Sequence, residues 1–231
     1  MKRAIIFDAG TLITFSMTGM LGKIKELKDI FDGEFIITED VKREVIDKPI
    51  TIKRFELEAL RVKRLLEDKV LKLPGGVGFD NKIISLKTEE ILGIANNTFF
   101  GRGREIRLIH YGEASCLALS KMLTEKGINN IIAVDERTVR LLCENPENLR
   151  NLFKNKLHTE IKSKKENYNF FKGFKFIRSS ELVYVAYKKG FYDLRDHDMV
   201  LDALLYAVKY NGCSISEDEI REIKNIGKVK G

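Results

Sequence analysis

An α/β fold with a central parallel sheet is predicted by three observations. Two short runs of Ile, Ala, Val and Phe, residues 4–7 and 131–134, each end in an aspartate, Asp8 and Asp135. Continuous apolar runs of this length suit strands covered on both faces, as the strands of parallel sheets are. Between and after them, helical and strand-like stretches alternate, the pattern of crossover units rather than of hairpins. The chain's 231 residues, 44% hydrophobic, suffice for one elaborated domain with a sizeable core.

Residues 3–7 form the first predicted strand and residues 20–31 the first helix. A short apolar piece follows at 35–37, after which Thr38 is placed to cap a helix whose first turn carries Glu39 and Asp40, where the helix dipole favours negative charge. Val41, Glu44 and Val45 fall on adjacent positions of one face of that helix, so Glu44 projects beside a buried stripe. Apolar spacing at Phe55, Leu57, Leu60, Val62 and Leu65 within a charged run predicts a surface helix over 53–69. Pro74-Gly75-Gly76-Val77-Gly78 is a turn rather than a phosphate cradle, because no Lys-Ser/Thr pair follows it. A helix over 88–96 stops at Asn96-Asn97, Gly101-Arg102-Gly103-Arg104 forms a basic turn, and Gly112 opens a helix bearing Glu113. Residues 131–134 are the central strand and 174–178 the last one. Ser216-Glu217-Asp218-Glu219 is a capping box for a terminal helix.

Several classes are excluded by composition. Cys116, Cys143 and Cys213 are few, odd in number and far apart, so neither a disulfide framework nor a Cys-rich zinc site is expected. Asp8 interrupts the first apolar run too early for a signal peptide, and no apolar run approaches the length that crosses a membrane. A soluble cytoplasmic protein is expected.

Two parallel strands that each end in Asp bring both carboxylates to the carboxyl edge of the sheet, where open α/β folds place their ligands. Asp8 and Asp135 are therefore candidate ligands, joined by Glu44 and by Glu113 at the head of its helix. Four carboxylates converging on one cleft repel one another and take up protons unless divalent cations neutralise them. Taken singly, each acid is better explained as a helix cap, a dipole partner or a solvated side chain.

It is the order of the four that resembles a family. Ile5-Ile6-Phe7-Asp8, the 38–44 segment ending in Glu44, Gly112-Glu113-Ala114-Ser115-Cys116-Leu117-Ala118-Leu119, and Ala133-Val134-Asp135-Glu136-Arg137 resemble, in sequence, the four acidic motifs of prokaryotic PIN-domain nucleases. The third is most similar to the subgroup that reads G-E-A-S-A there. Segments 181–190, 201–212 and 215–223 resemble that subgroup's closing helices. The resemblance implies a three-layer α/β/α fold with a PIN-like nuclease domain over 1–178 and a helical C-terminal segment over 179–231. It implies Mg²⁺ or Mn²⁺ held by Asp8, Glu44, Glu113 and Asp135, RNA as substrate with single-stranded DNA as the alternative, and a homodimer or an antitoxin-like protein as partner. Family members carry a hydroxyl residue directly after the first Asp, where this chain has Ala9. They also run from the fourth acid to the last strand in fewer residues, which marks about 145–171 as an insertion.

That insertion concentrates the charge. Between residues 150 and 178 stand nine Lys or Arg and two acids, an excess equal to the +7 of the whole chain. Six aromatics, Phe153, Tyr168, Phe170, Phe171, Phe174 and Phe176, are interleaved with them. This composition suits phosphate contacts and base stacking, and it equally suits a solvated basic face whose rings pack inward. Lys162, Lys164 and Lys165, with Arg102 and Arg104, are the candidate nucleic-acid contacts.

Other constellations compete. Phe7-Asp8-Ala9-Gly10-Thr11-Leu12 resembles the D-x-D-G-T-L motif of haloacid-dehalogenase-type phosphatases, but Gly10 stands where the general acid is required. Asp193, Asp196, His197, Asp198 and Asp202 are dense in metal-ligating types, yet with only His110, His158 and His197 in the chain this cluster reads as the first turn of a helix. The remaining class is a non-catalytic RNA-binding or partner-regulated module.

Overall fold

The computed structural model describes residues 1–194 and 197–228. Strand β1 (Arg3–Phe7) lies centrally in a four-stranded, all-parallel sheet. It is flanked on one side by β2 (Glu34–Ile36) and on the other by β5 (Asn129–Ala133), with β7 (Phe176–Ile177) outermost. The chain at Lys72 adds one further parallel bridge outside β2, to Ile36.

From β1 the chain crosses to β2 through α1 (Ala9–Met17) and α2 (Gly22–Ile30). It then returns past β1 to β5 through α3 (Glu39–Lys42), α4 (Glu56–Glu67), α5 (Asn81–Asn96) and α6 (Tyr111–Glu125). Right-handed crossovers that run in opposite directions put their helices on opposite faces of the sheet. The result fits a three-layer α/β/α arrangement. Its topological switch point falls between β1 and β5, the strands that end at Asp8 and Asp135.

Burial explains why these segments take these forms. Ile6, Phe7, Phe35, Ile36, Ile132 and Ala133 are almost fully inaccessible, and the rings of Phe7 and Phe35 meet edge to face at 5.1 Å. Helix α6 is buried on nearly every side, with Ala114, Leu117, Ala118 and Leu119 at 1% exposure or less, so it runs between α5 and the sheet rather than over the surface.

Two elements depart from the sequence expectation. Helix α1 occupies a stretch for which the pattern predicts no helix; Ala9, Thr11, Leu12, Thr14, Phe15 and Ser16 are all buried, so the polar face that reveals an amphipathic helix is lacking. Helix α5 starts seven residues earlier than residue 88, at Asn81, with the Asp80 side chain accepting from the N–H of Lys82 at 2.8 Å. Elsewhere local chemistry holds: Thr38 caps α3 by accepting from Val41 N–H, and Ser216 and Glu219 close the expected box at the start of α11 (Glu217–Lys228).

After β5, α7 (Arg137–Glu144) runs on into the insertion, which folds as α8 (Pro146–Leu157), β6 (Ile161–Ser163) and a 3₁₀ segment over Lys165–Phe171. Strand β6 joins a second, antiparallel sheet of order β4-β3-β6 with β3 (Phe99–Gly101) and β4 (Arg104–Glu105). After β7, helices α9 (Ser179–Lys188), α10 (His197–Tyr210) and α11 close the fold, α9 packing on α1, α2 and α10. Of the Asp/His cluster considered above, Asp196 lies outside the described residues, and Asp202 pairs with Lys224 of α11. Among the described residues no helix is long and apolar enough to cross a membrane.

Candidate metal centre

Asp8 follows the last residue of β1 and caps α1, its Oδ2 accepting from the backbone N–H of Gly10 at 3.1 Å. The side chain is 5% exposed. Burial drives its pKa up from the ordinary 3.8 to about 6; the N–H groups of Gly10 and Ala9 oppose the rise, and the charges of Glu44 and Asp135 add to it.

Glu113 sits in the first turn of α6, where its Oε2 accepts from the N–H of His110 at 2.8 Å. Burial is again the largest influence, followed by the charge of Asp8 and, more weakly, those of Glu136 and Glu44. Together they raise its pKa from 4.5 to about 8 against the pull of the His110 N–H.

Glu44 is carried by a single π-helical turn, Arg43–Asp47, that continues α3. The turn closes through a bond from Lys48 N–H to the carbonyl of Arg43 at 3.0 Å, and Pro49 ends it. Its carboxylate lies against the first turn of α6 at Gly112, where a β-carbon would stand 3.0–3.2 Å from the carboxylate atoms. Glycine there makes room for the acid. A hydroxyl chain fixes the two helices: Ser115 Oγ donates to the carbonyl of Gly112 at 2.7 Å, so its contact of 2.6 Å with Thr38 Oγ1 takes the Thr38 proton. Thr38 thereby caps the helix leading to Glu44 while holding the one that bears Glu113.

Asp135 is used differently. It is 2% exposed, and its oxygens accept from Ser179 N–H (2.8 Å), Ser179 Oγ (2.6 Å) and Thr14 Oγ1 (2.8 Å). Its carbonyl accepts from Ser214 N–H at 3.1 Å. The end of β5 is thus tied to α1, α9 and the segment after α10. The neighbouring Glu136 is exposed, caps α7 through Thr138, and adds its charge to that acting on Glu113. Thr14 and Ser179 are site residues that no sequence pattern marks; the only local signal is a Ser-Ser pair directly after the last strand.

Among the described residues, no three Asp, Glu, His or Cys side chains are grouped closely enough to hold one ion. The donors present are all carboxylate oxygens, the kind that Mg²⁺ and Mn²⁺ take, and Mg²⁺ is commonly held by one or two carboxylates with water and substrate phosphate completing its shell. Asp8 with Glu113 or Glu44 suits that pattern. A fully buried hydroxyl with no partner, Thr11 Oγ1, stands one turn into α1 from Asp8.

The raised pKa values fix a pH dependence. The folded state binds Asp8 and Glu113 protons more tightly than the unfolded chain, so their contribution to stability is complete below about pH 4 and is lost as pH rises through about 6 and then about 8. In chelator, melting temperature is expected to fall between about pH 5 and about pH 9 more steeply for the native protein than for an Asp8→Asn/Glu113→Gln double variant. Added Mn²⁺ competes with those protons, so its stabilisation should grow over the same interval. Parallel slopes for the two proteins, with no response to Mn²⁺, would exclude a cation site.

The basic candidates come together on the second sheet. Arg102 and Gly103 form the β3–β4 turn, both with positive φ, and Arg104 opens β4. Lys162 pairs with Phe100 across β3 and β6, and Lys164 lies 5.2 Å from the Phe100 ring and touches Asn97. Lys165 instead pairs with Glu147 at 3.5 Å, an exposed ion pair of small energetic weight. Residues 106–110 connect this sheet to the start of α6, and Asn96 at the end of α5 ties them down by accepting from Leu108 and Ile109 N–H. The six aromatics of the segment pack inward: Phe171 is fully buried, and the others lie half-buried against the core. At the place of a phosphatase's second acid stands Gly10, whose N–H binds Asp8. No protein-family model, curated protein or solved structure matches this chain.

Proposed function

We propose that the chain is a PIN-like nuclease dependent on Mg²⁺ or Mn²⁺, acting on RNA, with single-stranded DNA as the alternative substrate. The observation that carries this is the placing of two carboxylates whose pKa burial raises, Asp8 at the end of β1 and Glu113 at the start of α6, beside the switch point of a parallel sheet, with the charge of Asp8 adding to the rise at Glu113. Asp8 with Glu113 or Glu44 holds the cation, water and substrate phosphate completing its shell. Glu136 faces Glu113 as a further charge, and Asp135 acts as a positioning residue through Ser179 and Thr14. A bound divalent cation supplies Lewis acidity and positive charge at the phosphodiester. The carboxylates orient it, and without it Glu113, with its pKa raised to about 8, retains its proton near neutral pH. The sheet bearing Arg102, Arg104, Lys162 and Lys164 holds the flanking backbone. Three unpaired, buried cysteines suit a reducing cytoplasm.

The test is cleavage of end-labelled single-stranded RNA in Mn²⁺, Mg²⁺ and chelator, run beside a small phosphomonoester. Cation-dependent fragments from RNA with the monoester untouched are expected. Hydrolysis of the monoester alone, or RNA binding without fragments in either metal, overturns the proposal.

Substituting Lys162, Lys164 and Lys165 by Ser is expected to weaken RNA binding at low salt and to flatten its salt dependence by about 0.7 for each phosphate that is no longer neutralised. Lys165 already has a partner, so the change should correspond to the phosphates met by Lys162 and Lys164 alone. Turnover at saturating substrate should hold, because these side chains meet flanking phosphates only. Titrating a short fluorescent RNA across a salt series measures both quantities.

A further inference from the structure

A cavity of 650 Å³ opens between α7, the end of α10 and the chain leading into α11. It begins where the acid site ends: Arg137 follows Glu136 directly, and Ser214 in the opposite wall donates its N–H to the Asp135 carbonyl. Three cations, Arg137, Arg140 and Lys209, and two acids, Glu144 and Glu219, line it. Arg140 has a buried Nε with no hydrogen-bond partner. Of the acids in the wall, Glu219 is already bonded by Arg178 at 2.6 Å, and Lys209 is paired with Glu217. Among the described residues neither Arg137 nor Arg140 forms an ion pair. Burial and the nearby Arg178 cation disfavour the charge on Arg140 more than the carboxylates of Glu144, Glu181 and Glu219 favour it, and none of these acids is bonded to it, so a directly bonded anion is what the position lacks. Ser216 Oγ accepts from Glu219 N–H, which leaves its own proton to donate.

We propose that this cavity seats a phosphate group through Arg140 and Arg137, with Ser216 as a further donor. A guanidinium meets phosphate oxygens in two-point geometry, and water-excluded phosphate seats favour Arg over Lys for that reason. Resting on the nuclease proposal above, the phosphate is a diester of the bound strand, next to the one at the carboxylates, and the substrate crosses the end of β5 towards α10. A free phosphate monoester is the other source of the same chemistry.

The experiment compares the native protein with Arg140→Gln, Arg137→Gln and Arg140→Lys, using two probes in chelator: a short labelled single-stranded RNA over a salt series, and inorganic phosphate in a thermal-shift titration at constant ionic strength. The Gln variants are expected to bind RNA about tenfold more weakly at low salt, with the salt slope reduced by about 0.7 because one phosphate is left unneutralised. Arg140→Lys should restore the slope in part, since it keeps the charge and loses the two-point geometry. Native affinity and slope in both Gln variants overturn the seat while leaving cleavage, and so the nuclease proposal, standing. If the native protein neither binds nor cuts RNA, the nuclease proposal fails. Stabilisation by inorganic phosphate that is lost in Arg140→Gln then retains the cavity as a site for free phosphate, and no stabilisation removes it as well. Should Arg140→Gln fail to fold, Arg137→Gln and Arg140→Lys decide the matter by the same readouts.

Discussion

Asp8→Asn is expected to lower cation-dependent RNA cleavage by at least about 10³-fold, the scale of several kcal/mol of lost charge stabilisation at the phosphodiester. The same substitution should make the cation-free protein more stable. Ionised Asp8 is buried and surrounded by Glu44, Asp135 and Glu113, and its pKa near 6 against an ordinary 3.8 corresponds to a penalty on the order of 3 kcal/mol once it is deprotonated. Asparagine keeps an oxygen for the Gly10 N–H and discards the charge. For a chain of this size the gain amounts to roughly 5–10 °C in melting temperature at pH 8 in chelator. Opposite signs for activity and stability separate a site held under electrostatic strain for function from a plain helix cap. Cleavage at the native rate, or a lower melting temperature in chelator, would each contradict the assignment.

How far the sequence reaches depends on whether the responsible interaction is local. The end of β1 at Asp8, the Thr38 cap and the Ser216 box are readable because cap and capped N–H lie within three residues. Helix α1 is not. Gly10 and three β-branched residues give it low intrinsic propensity, and it exists because packing on α4 and α9 buries it on most sides. The second sheet is equally hidden, since β3 meets β6 some 60 positions later and nothing in either segment fixes the register. That pairing is what brings Arg102 and Arg104 together with Lys162 and Lys164. At the site, the four acids can be found one by one, but not their division of labour. Thr14 lies 121 positions from Asp135 and Ser179 lies 44, so the sequence shows Asp135 as one more strand-end carboxylate when its oxygens are in fact bound by three donors.

Asp135→Ala should therefore behave oppositely to Asp8→Asn in the cation-free protein and destabilise it by about 3–5 kcal/mol, the range for removing the charged member of a buried network and stranding its partners. Ser179 N–H and Oγ would be left without their acceptor in a buried position at the junction of β5 with α1 and α9, while Thr14 Oγ1 would keep only the Asn211 carbonyl at 3.1 Å. Asp135→Asn keeps one acceptor oxygen and turns an NH₂ group towards donors; the two hydroxyls can rotate to accept, whereas the Ser179 N–H cannot, so a smaller loss of about 1–2 kcal/mol is expected. Were Asp135 chiefly a cation ligand, removing it would relieve repulsion on Asp8 and raise the melting temperature, as Asp8→Asn does. The sign of the change in chelator, followed by chemical denaturation of the native and both variant proteins, decides between the two roles. Thr14→Val supplies the cross-check. As a partner of Asp135 it should lose stability on its own and far less when added to Asp135→Ala, a non-additivity that independent sites do not show.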